Sequence, residues 1–485
     1  MKIGIIQTTP LTADFSNNVR QIIQGYRDCI NHGATLVVAS AYALCGAGAK
    51  DLASRTSFLQ QAETAIEYLS SELGEVPLIT ASYVPMPGLL SYDEEICDEF
   101  ESNLTSSQPI LVPYILSNNS VDELEDAATI ELDDMQVYID VGDEPVFIDD
   151  ENPNLIIHLS TNSWHSKAAE ELEENKQWEA KTNGVPVVCV HHVGTTDGVL
   201  YAGGSAIYTP NGKTHTRLPF FETEFKVANL AGKPTAKALP SAEELLTGAI
   251  VKGIRDTVLN NEYAGACISL DNKNALLMAL LCSEALGASK VHGISFEEPS
   301  PSFKALGIHT HTIKLNDITG SISEALEGLD TAPLEQRIKN AITISYADKN
   351  GLMPMTAITR NELMMGEFVL YGDSAGYLAP LGNLYKMDIY MLSRYYQEKM
   401  ADIFGTLNEP TSPETDRIIH ELADRNISAD SLLSDYMSPF KENDVRMVQR
   451  RIVSSAFKRT QTPMIIRVDR EDERTDLPSH HRLND

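Results

Sequence analysis

Among the residues able to do chemistry, the histidines have the most suggestive spacing. His309 and His311 alternate on a predicted strand, so their imidazoles share a face, which is a spacing compatible with a metal ion. No third ligand is evident beside them in the sequence. His191 and His192 end an apolar strand, where hydrogen-bonded histidines are expected more than ligands. The sequence therefore predicts no metal site.

The six cysteines are scattered and form no CxxC pair. Structural zinc sites usually draw on paired cysteines or histidines at short spacing, and no such pair is present. The thiols are expected to be reduced and mostly buried, which fits a cytoplasmic protein. They are Cys29, Cys45, Cys97, Cys189, Cys267 and Cys282.

The charge of the chain is strongly acidic, since its 485 residues carry 69 Asp and Glu against 38 Lys and Arg, a formal net charge of −31. A field of that sign repels phosphate backbones and anionic lipid, so neither nucleic acid nor a membrane is expected as a partner. The stretch 93–151 contains no Lys or Arg, whereas basic residues recur from Arg446 onward. These oppositely charged stretches either contact each other, within one subunit or between subunits, or are exposed to solvent.

Strand and helix patterns alternate in the first half. Asp14 is a plausible N-cap for an amphipathic helix that Gly33 ends, and 57–73 forms a second helical pattern. Apolar, β-branched runs predict strands at 2–7, 35–39, 77–82, 135–141, 155–159, 185–191 and 206–209. This alternation predicts a sheet-rich, layered α/β domain that ends near residue 230.

The second half repeats a β-α-β pattern. A helix is predicted from Ser241 to Asn260, and a later helix, 275–286, is closed by Gly287. Strands are predicted at 265–269, 290–295 and 309–314. The pattern predicts a parallel, doubly wound sheet, followed by a long helical region to about Phe457.

Several short stretches are weak singly but specific in their order and spacing. They are Ile3–Gln7 with Asp14 and Asn18; Leu44, Gly46, Asp51 and Leu52; 159–163 (LSTNS); 193–205 (VGTTDGVLYAGGS); 370–376 (LYGDSAG) with 380–386; and 458–463 (KRTQTP). With them the chain resembles the glutamine-dependent NAD+ synthetases nearly end to end. In that family one domain releases ammonia from glutamine, and the second adenylates deamido-NAD with ATP and then admits ammonia.

The resemblance implies two domains. A nitrilase-like (carbon–nitrogen hydrolase) domain with αββα layers is expected over 1–230. A doubly wound domain, NAD-synthetase-like and related to the adenine nucleotide α-hydrolases, is expected over 241–470. A linker over 231–240 and a polar tail over 471–485 complete the predicted organisation.

By the same resemblance, the first domain needs a Glu base, a Lys and a Cys nucleophile. The position of the base is Ala41, and no glutamate precedes Glu63. The position of the nucleophile is Val141, and no lysine occurs over 51–166. Cys45 lies near this site, although its expected role is that of a small buried hydrophobe. Glutamine hydrolysis by this route is therefore not expected.

The second domain of the family needs a glycine-rich loop that cradles phosphates and an Asp that helps to hold Mg²⁺. The matching segment, Leu270–Ala275 (LDNKNA), has no glycine, and Asn274 stands at the position of the Asp. Glu362, Asp373 and Lys458 persist as residual candidates for nucleotide or metal binding. Both predicted sites therefore lack residues on which the chemistry depends.

The sequence predicts a catalytically inactive relative of these enzymes, with a structural, regulatory or scaffold role in an oligomeric assembly. The expected partners are further copies of the chain or an active NAD+ synthetase paralogue, and no cofactor is expected. The alternative is a divergent enzyme that still binds a nucleotide or deamido-NAD, or that makes NAD+ from ammonia with ATP and Mg²⁺.

Overall fold

The computed structural model describes residues 1–84, 109–124, 127–132, 135–148, 153–315, 331–403, 413–434 and 438–469. Cys97, most of the acidic stretch before residue 109 and the predicted tail lie outside the described residues. The chain divides into two compact units: unit 1 contains 1–196 and 201–240, and unit 2 contains 197–200 and the chain from 241 onward.

Unit 1 is built on two sheets. Its strands are β1 Lys2–Gln7, β2 Leu36–Ala39, β3 Leu78–Val84, β4 Ile110–Ser117, β5 Ser120–Glu123, β6 Ala127–Leu132, β7 Met135–Val141, β8 Leu155–Leu159, β9 Val187–Val190, β10 Val193–Thr196, β11 Val199–Ala202, β12 Ala206–Tyr208, β13 Thr214–Arg217 and β14 Glu224–Asn229. Its helices are α1 Phe15–Asn31, α2 Thr56–Glu72 and α3 Ala168–Asn183. The strand orders are β14-β1-β2-β3-β4-β5 and β13-β12-β9-β8-β7-β6, with β10 and β11 forming a separate hairpin.

Unit 1 has four layers. One apolar cluster joins α1 and α2 to the first sheet, a second lies between the sheets, and a third joins the second sheet to α3. The strands alternate their side chains between these clusters because the pleat has a period of two residues. The predicted αββα arrangement is therefore confirmed. The predicted N-cap is also confirmed, since the Asp14 carboxylate accepts the Asn17 N–H at 3.3 Å.

Unit 2 contains one sheet and a larger share of helix. Its strands are β15 Gly265–Ser269, β16 Val291–Ser295, β17 His309–Thr312, β18 Leu352–Met355, β19 Leu378–Ala379 and β20 Met464–Ile465. Its helices are α4 Ala242–Asn260, α5 Ala275–Leu286, α6 Pro301–Ala305, α7 Thr331–Asn350, α8 Arg360–Met365, α9 Lys386–Lys399, α10 Pro413–Ile419, α11 Ala429–Ser434, α12 Glu442–Ser454 and α13 Ala456–Arg459.

The sheet of unit 2 has the order β17-β16-β15-β18-β19-β20, and its strands are parallel. The chain moves outward from β15 to β17 and then returns to the other side of β15 as β18. Right-handed connections in these two directions place α5 and α7 on opposite faces of the sheet. The predicted doubly wound parallel sheet is confirmed, with its change of direction between β15 and β18.

The predicted long helical region up to about Phe457 is mostly helical in its described part, but short strands that the prediction missed interrupt it. The region contains the strands β18 and β19, and β20 follows it. β18 has four residues, including Pro354, and β19 and β20 have two each. Runs this short give no alternating pattern against the surrounding helices, so only pairing with neighbouring strands identifies them.

Within the described residues, no helix is both long enough and apolar enough to cross a membrane. The described cysteines of both units are free and buried, as predicted.

Candidate functional site

The two positions that the resemblance assigns to base and nucleophile in unit 1 are apolar contacts. Ala41 follows β2 and is fully buried within the cluster between the two sheets. Val141 ends β7 and packs against the same cluster. An alanine methyl and a valine side chain accept no proton and attack no carbonyl, so this end of the sheets contains hydrophobic packing where the family places its glutaminase.

The neighbours of Ala41 fill the same end of unit 1. The Cys45 thiol lies 3.3 Å from the Ser82 hydroxyl, and burial raises the pKa of this thiol. The ring of buried His192 lies close to those of Tyr42 and Tyr201, at 5.1 and 4.1 Å between centroids. Burial lowers the pKa of His192 to about 3, so this imidazole is neutral. A protonated, enclosed thiol is a poor nucleophile, in keeping with the packing role predicted for Cys45.

A second polar cluster of unit 1 lies on the α3 side of the second sheet. Cys189 and His191 are two residues apart at the end of β9, and their Sγ and Nε2 atoms are 3.2 Å apart. Asp143, in the loop after β7, brings its Oδ1 to 3.5 Å from the same sulfur. The other carboxylate oxygen of Asp143 accepts the Ser160 hydroxyl at 2.6 Å. One ligand atom from each of Asp143, Cys189 and His191 lies within 4.8 Å of the others.

A buried ionic network lies beside this cluster. Lys176 and Glu179 of α3 are fully buried and paired at 2.8 Å. His158 of β8, also fully buried, is 2.8 Å from Glu179 and 3.1 Å from Asp140. Burial alone would lower the pKa of His158, but hydrogen bonds to these two carboxylates outweigh it and raise the pKa. The network is closed, because each buried charge has a partner of opposite sign.

Unit 2 has its candidate site where the sheet changes direction. A cavity of about 240 Å³ opens at the carboxyl ends of β15 and β18. Parallel α/β sheets commonly bind ligands at this position. The lining is mostly polar and includes Asp271, Asn272, Lys273, Gln336, Lys339, Asn340, Thr343, Glu362 and Asp373.

The loop that follows β15 differs from a glycine-rich phosphate loop in its backbone geometry and in its hydrogen bonds. No residue from 270 to 274 has a positive φ, so the loop lacks the left-handed geometry that glycines permit. The Asn274 N–H is bound to the Asn272 side chain at 2.8 Å, and the Asn274 amide donates to the Ala357 carbonyl at 3.3 Å. The Asp271 carboxylate accepts from the Ser295 hydroxyl at 3.0 Å. The loop therefore bonds its polar groups to the protein itself.

Glu362, the residual metal candidate, is bound on both oxygens. Its Oε1 lies 2.8 Å from the Lys273 ammonium. Its Oε2 accepts the N–H and the hydroxyl of Thr359, both at 2.9 Å, in a capping box that begins α8. The side chain therefore serves as a helix cap and an ion-pair partner.

The other two residual candidates also make structural contacts. Asp373 accepts the Val369 N–H at 2.8 Å and lines the cavity. The Lys458 ammonium donates to the carbonyls of Gly366 and Phe368, both at 2.8 Å, and lies over the Phe368 ring. Lys458 thus holds the end of α8, where carbonyl groups need donors.

The structure places His309 and His311 next to a third histidine that sequence reasoning missed. His292 of β16 stacks against both rings, at 4.7 and 5.7 Å between centroids. The Tyr346 hydroxyl bridges the group, at 3.0 Å from His292 and 2.6 Å from His311. A tyrosine hydroxyl therefore contacts two of the three imidazoles. Parallel pairing of β16 with β17 brings the histidines together, and the strand pattern alone does not reveal it.

Sequence reasoning also missed the α3-side cluster and network of unit 1. One signal is the alternation of Cys189 and His191, which places both on one face of the strand end. Another is His158 within the otherwise apolar run Leu155–Leu159. Neither signal indicates that Asp143, from a separate loop, completes the group.

Comparison with known proteins agrees with this architecture. A family model described as NAD synthase matches residues 247–403. The glutamine-dependent NAD(+) synthetase of Synechocystis sp. is 24% identical over 530 residues, covering 95% of this chain and 94% of that protein. The same enzyme of Thermotoga maritima is 23% identical, covering 82% and 81%.

Solved structures show the same fold over both units. A glutamine-dependent NAD(+) synthetase from Cytophaga hutchinsonii superposes with a TM-score of 0.79 at 13% identity, covering 96% of this chain and 94% of that one. A glutamine-dependent NAD+ synthetase from Acinetobacter baumannii, in complex with ADP, gives 0.74 at 16% identity, covering 95% and 94%. The predicted resemblance is confirmed: the chain is similar to glutamine-dependent NAD+ synthetases over nearly its whole length, and it shares their fold.

Proposed function

We propose that this chain is a member of the glutamine-dependent NAD+ synthetase family that is not a catalyst and acts as a structural, regulatory or scaffold subunit of an oligomeric assembly. The observation that carries the proposal is the packing of Ala41 and Val141 into the apolar cluster between the sheets of unit 1. The two positions that the resemblance assigns to the glutaminase base and nucleophile there make hydrophobic contacts, fully buried at Ala41 and partly buried at Val141.

Unit 1 lacks the groups that glutamine hydrolysis requires. Hydrolysis of an amide through an acyl-enzyme needs a nucleophile, a base and a group that stabilises the tetrahedral intermediate. Positions 41 and 141 supply neither of the first two, and no lysine over 51–166 supplies the third. The thiol of Cys45, close to Ala41, is fully buried and its pKa is raised by burial. The described residues at this place therefore have no chemistry for glutamine.

The cavity formed by the described residues of unit 2 is poorly suited to ATP and Mg²⁺. The residues of its cavity do not fit a magnesium ion, because Glu362 already accepts from Lys273 and Thr359 and Asn274 offers an amide in place of a carboxylate. Mg²⁺ binds through carboxylates and substrate phosphates. A nucleotide would have to break the Lys273–Glu362 pair and would meet the Asp271 carboxylate in the loop.

The framework of both units persists although the reactive side chains are gone. The layers, the parallel sheet and the helix caps are intact. A folded, non-catalytic protein still has surfaces that bind a partner. The acidic stretch 93–151 and the basic stretch from Arg446 carry complementary charge for such binding. Further copies of the chain or an active paralogue are the partners we propose.

Activity measurements test the first half of the proposal. We expect no ammonia from glutamine and no NAD+ from deamido-NAD, ATP, Mg²⁺ and either glutamine or ammonium. The Thermotoga maritima glutamine-dependent NAD(+) synthetase, assayed side by side, is the positive control. Saturable release of ammonia by this chain, at a rate that scales with its concentration, would show the proposal to be wrong.

Native mass spectrometry of the particle purified from its own host tests the second half. We expect a homo-oligomer, or a particle of fixed stoichiometry that also contains an active synthetase. A monomer with no bound chain, at the concentration found in the cell, would exclude a role through assembly. These outcomes do not depend on the activity assays, so each half of the proposal fails separately.

The cavity at the carboxyl ends of β15 and β18 favours a second candidate, a divergent enzyme that retains nucleotide or deamido-NAD binding. Lys339 lines the cavity and pairs with Asp271 at 3.6 Å, so a phosphate would meet an ammonium there. Scanning calorimetry with ATP, NAD+ and deamido-NAD tests it, because a ligand at 100 times its Kd adds about 2.7 kcal/mol to the free energy of unfolding. Binding lost in Lys339→Met but kept in the exposed control Lys349→Met would favour the divergent enzyme.

A further inference from the structure

We propose that Asp143, Cys189 and His191 form a binding site for one zinc ion on the α3 side of the second sheet of unit 1. This site is separate from the function proposed above, because it shares no residue with the positions assigned to glutamine or nucleotide chemistry. It also revises the expectation, from the sequence, that the chain has no metal site.

The three ligand atoms form a compact group. Cys189 Sγ is 3.2 Å from His191 Nε2 and 3.5 Å from Asp143 Oδ1, and all three atoms lie within 4.8 Å of one another. A thiolate, an imidazole and a carboxylate are the ligand types that zinc takes from proteins. Three protein ligands leave a fourth coordination position, and His191 is the partly exposed residue of the three.

The fold brings these three atoms together from two strand ends of one sheet. Cys189 and His191 lie two residues apart at the end of β9, so the pleat turns both side chains to the same face. Asp143 reaches them from the end of β7, two strands away in the sheet. The residues after β8, between them, hold its second oxygen: Ser160 Oγ donates at 2.6 Å and the Asn162 N–H at 3.1 Å. Such outer hydrogen bonds orient a metal-binding carboxylate.

The same atoms do not make a nucleophilic site. Cys189 is fully buried, so no substrate reaches its sulfur. Burial raises the pKa of the thiol well above its usual value and lowers the pKa of the His191 imidazole. Asp143 contacts the sulfur, whereas a catalytic triad needs the carboxylate on the histidine. A metal ion needs neither substrate access nor that order of contacts.

Charge also favours a divalent cation. Binding releases the thiol proton, after which thiolate and carboxylate together balance the two charges of Zn²⁺. The neighbouring buried ammonium, that of Lys176, is already neutralised by Glu179 at 2.8 Å. A neutral imidazole is ready to bind through a ring nitrogen.

The test uses the full chain, stripped with a chelator and titrated with Zn²⁺ against a chromophoric chelator, and separately loaded with Co²⁺. We expect one zinc per chain, and a thiolate-to-cobalt charge-transfer band in the absorption spectrum. Cys189→Ser and Asp143→Asn should each weaken zinc binding by well over tenfold. Ser160→Ala should weaken it by about tenfold, the loss usual for an outer-shell partner.

Cys282→Ser is the matched control, because Cys282 is a fully buried thiol of α5 in unit 2. It should keep both the stoichiometry and the cobalt band. If Cys189→Ser does not fold, the proposal is tested by the cobalt charge-transfer band of the unmodified chain, which should also be present in Cys282→Ser. Less than one zinc in ten chains at micromolar free zinc, or binding unchanged in both ligand variants, would overturn the proposal.

Discussion

The two regions where the resemblance places reactive side chains differ in what occupies them. In unit 1, Ala41 is fully buried in the hydrophobic cluster between two sheets, and partly buried Val141 packs against that cluster. In unit 2, the loop 270–274 borders an open polar cavity whose charges pair with one another, as Lys273 does with Glu362. One site is closed by apolar contacts and the other by ion pairs at the surface.

The difference has an energetic consequence. A charge placed in dry packing loses its hydration and finds no partner, so it destabilises the fold strongly. When an exposed ion pair is broken, water solvates the remaining charge, so the free energy of unfolding changes little. A charged residue introduced at the apolar site of unit 1 should therefore destabilise the fold, whereas unit 2 should tolerate substitutions in its cavity. Four substitutions test this contrast, in order of decreasing effect.

Ala41→Glu should have the largest effect. The new carboxylate would be buried without a partner in the cluster between the sheets, at a cost of about 3–5 kcal/mol, the usual cost of an uncompensated buried charge. Urea unfolding followed by tryptophan fluorescence measures it, because both tryptophans, Trp164 and Trp178, belong to unit 1.

Ala238→Glu makes the same chemical change at an exposed alanine of unit 1 and should shift the urea midpoint little. If Ala41→Glu were as stable as this control, the space beside position 41 would be open, and the contrast between the two regions would fail.

Lys176→Met should cost nearly as much. Methionine keeps the approximate length of the side chain but leaves the buried Glu179 carboxylate with His158 as its charged partner and the Val146 N–H as a donor. Breaking a buried ion pair costs about 3–5 kcal/mol. The measurement is again the urea midpoint by tryptophan fluorescence. The double substitution Lys176→Met with Glu179→Leu should recover most of the loss, and no recovery would mean that packing, rather than charge, sets the cost.

His158 should make the stability of unit 1 depend on pH. Because its pKa is raised in the folded state, its contribution to stability is complete below about pH 6.5 and is lost as pH rises through the folded pKa. The difference in unfolding free energy between the unmodified chain and His158→Gln should therefore shrink as pH rises above neutrality. Each tenfold difference in proton affinity between the folded and unfolded chain contributes about 1.4 kcal/mol to that change. A difference that is constant with pH would mean that this histidine does not titrate in that range.

Lys273→Met should have the smallest effect. The lysine is 62% exposed, so the loss of its pair with Glu362 should change the free energy of unfolding by less than about 1 kcal/mol in calorimetry. Glu362 keeps its capping bonds to Thr359, which hold the start of α8. A loss comparable to that of Lys176→Met would show that the cavity of unit 2 is as closed as the site of unit 1.

Local pattern predicted much of the fold. Hydrophobic period and helix capping depend on residues that are near in sequence. The sequence therefore predicts strand 265–269, helix 275–286 with Gly287 at its end, and the helix starts at Asp14 and Ser241. The strands β18, β19 and β20 were not, because strands of two to four residues are defined by their neighbours in the sheet.

The candidate sites divide in the same way. That Ala41, Val141 and Asn274 lack the groups the chemistry needs follows from the sequence alone, since a reaction requires a side chain that can perform it. Which contacts these positions make instead depends on burial and on residues far along the chain, as the ion pair between Lys273 and Glu362 shows.

The zinc site proposed in unit 1 shows the same division. Asp143 lies 46 residues from Cys189 and meets it only because β7, β8 and β9 are neighbours in one sheet. The sequence by itself determined which chemistry is missing, and only the tertiary structure decided what occupies its place, because contacts between distant residues arise when the sheets form.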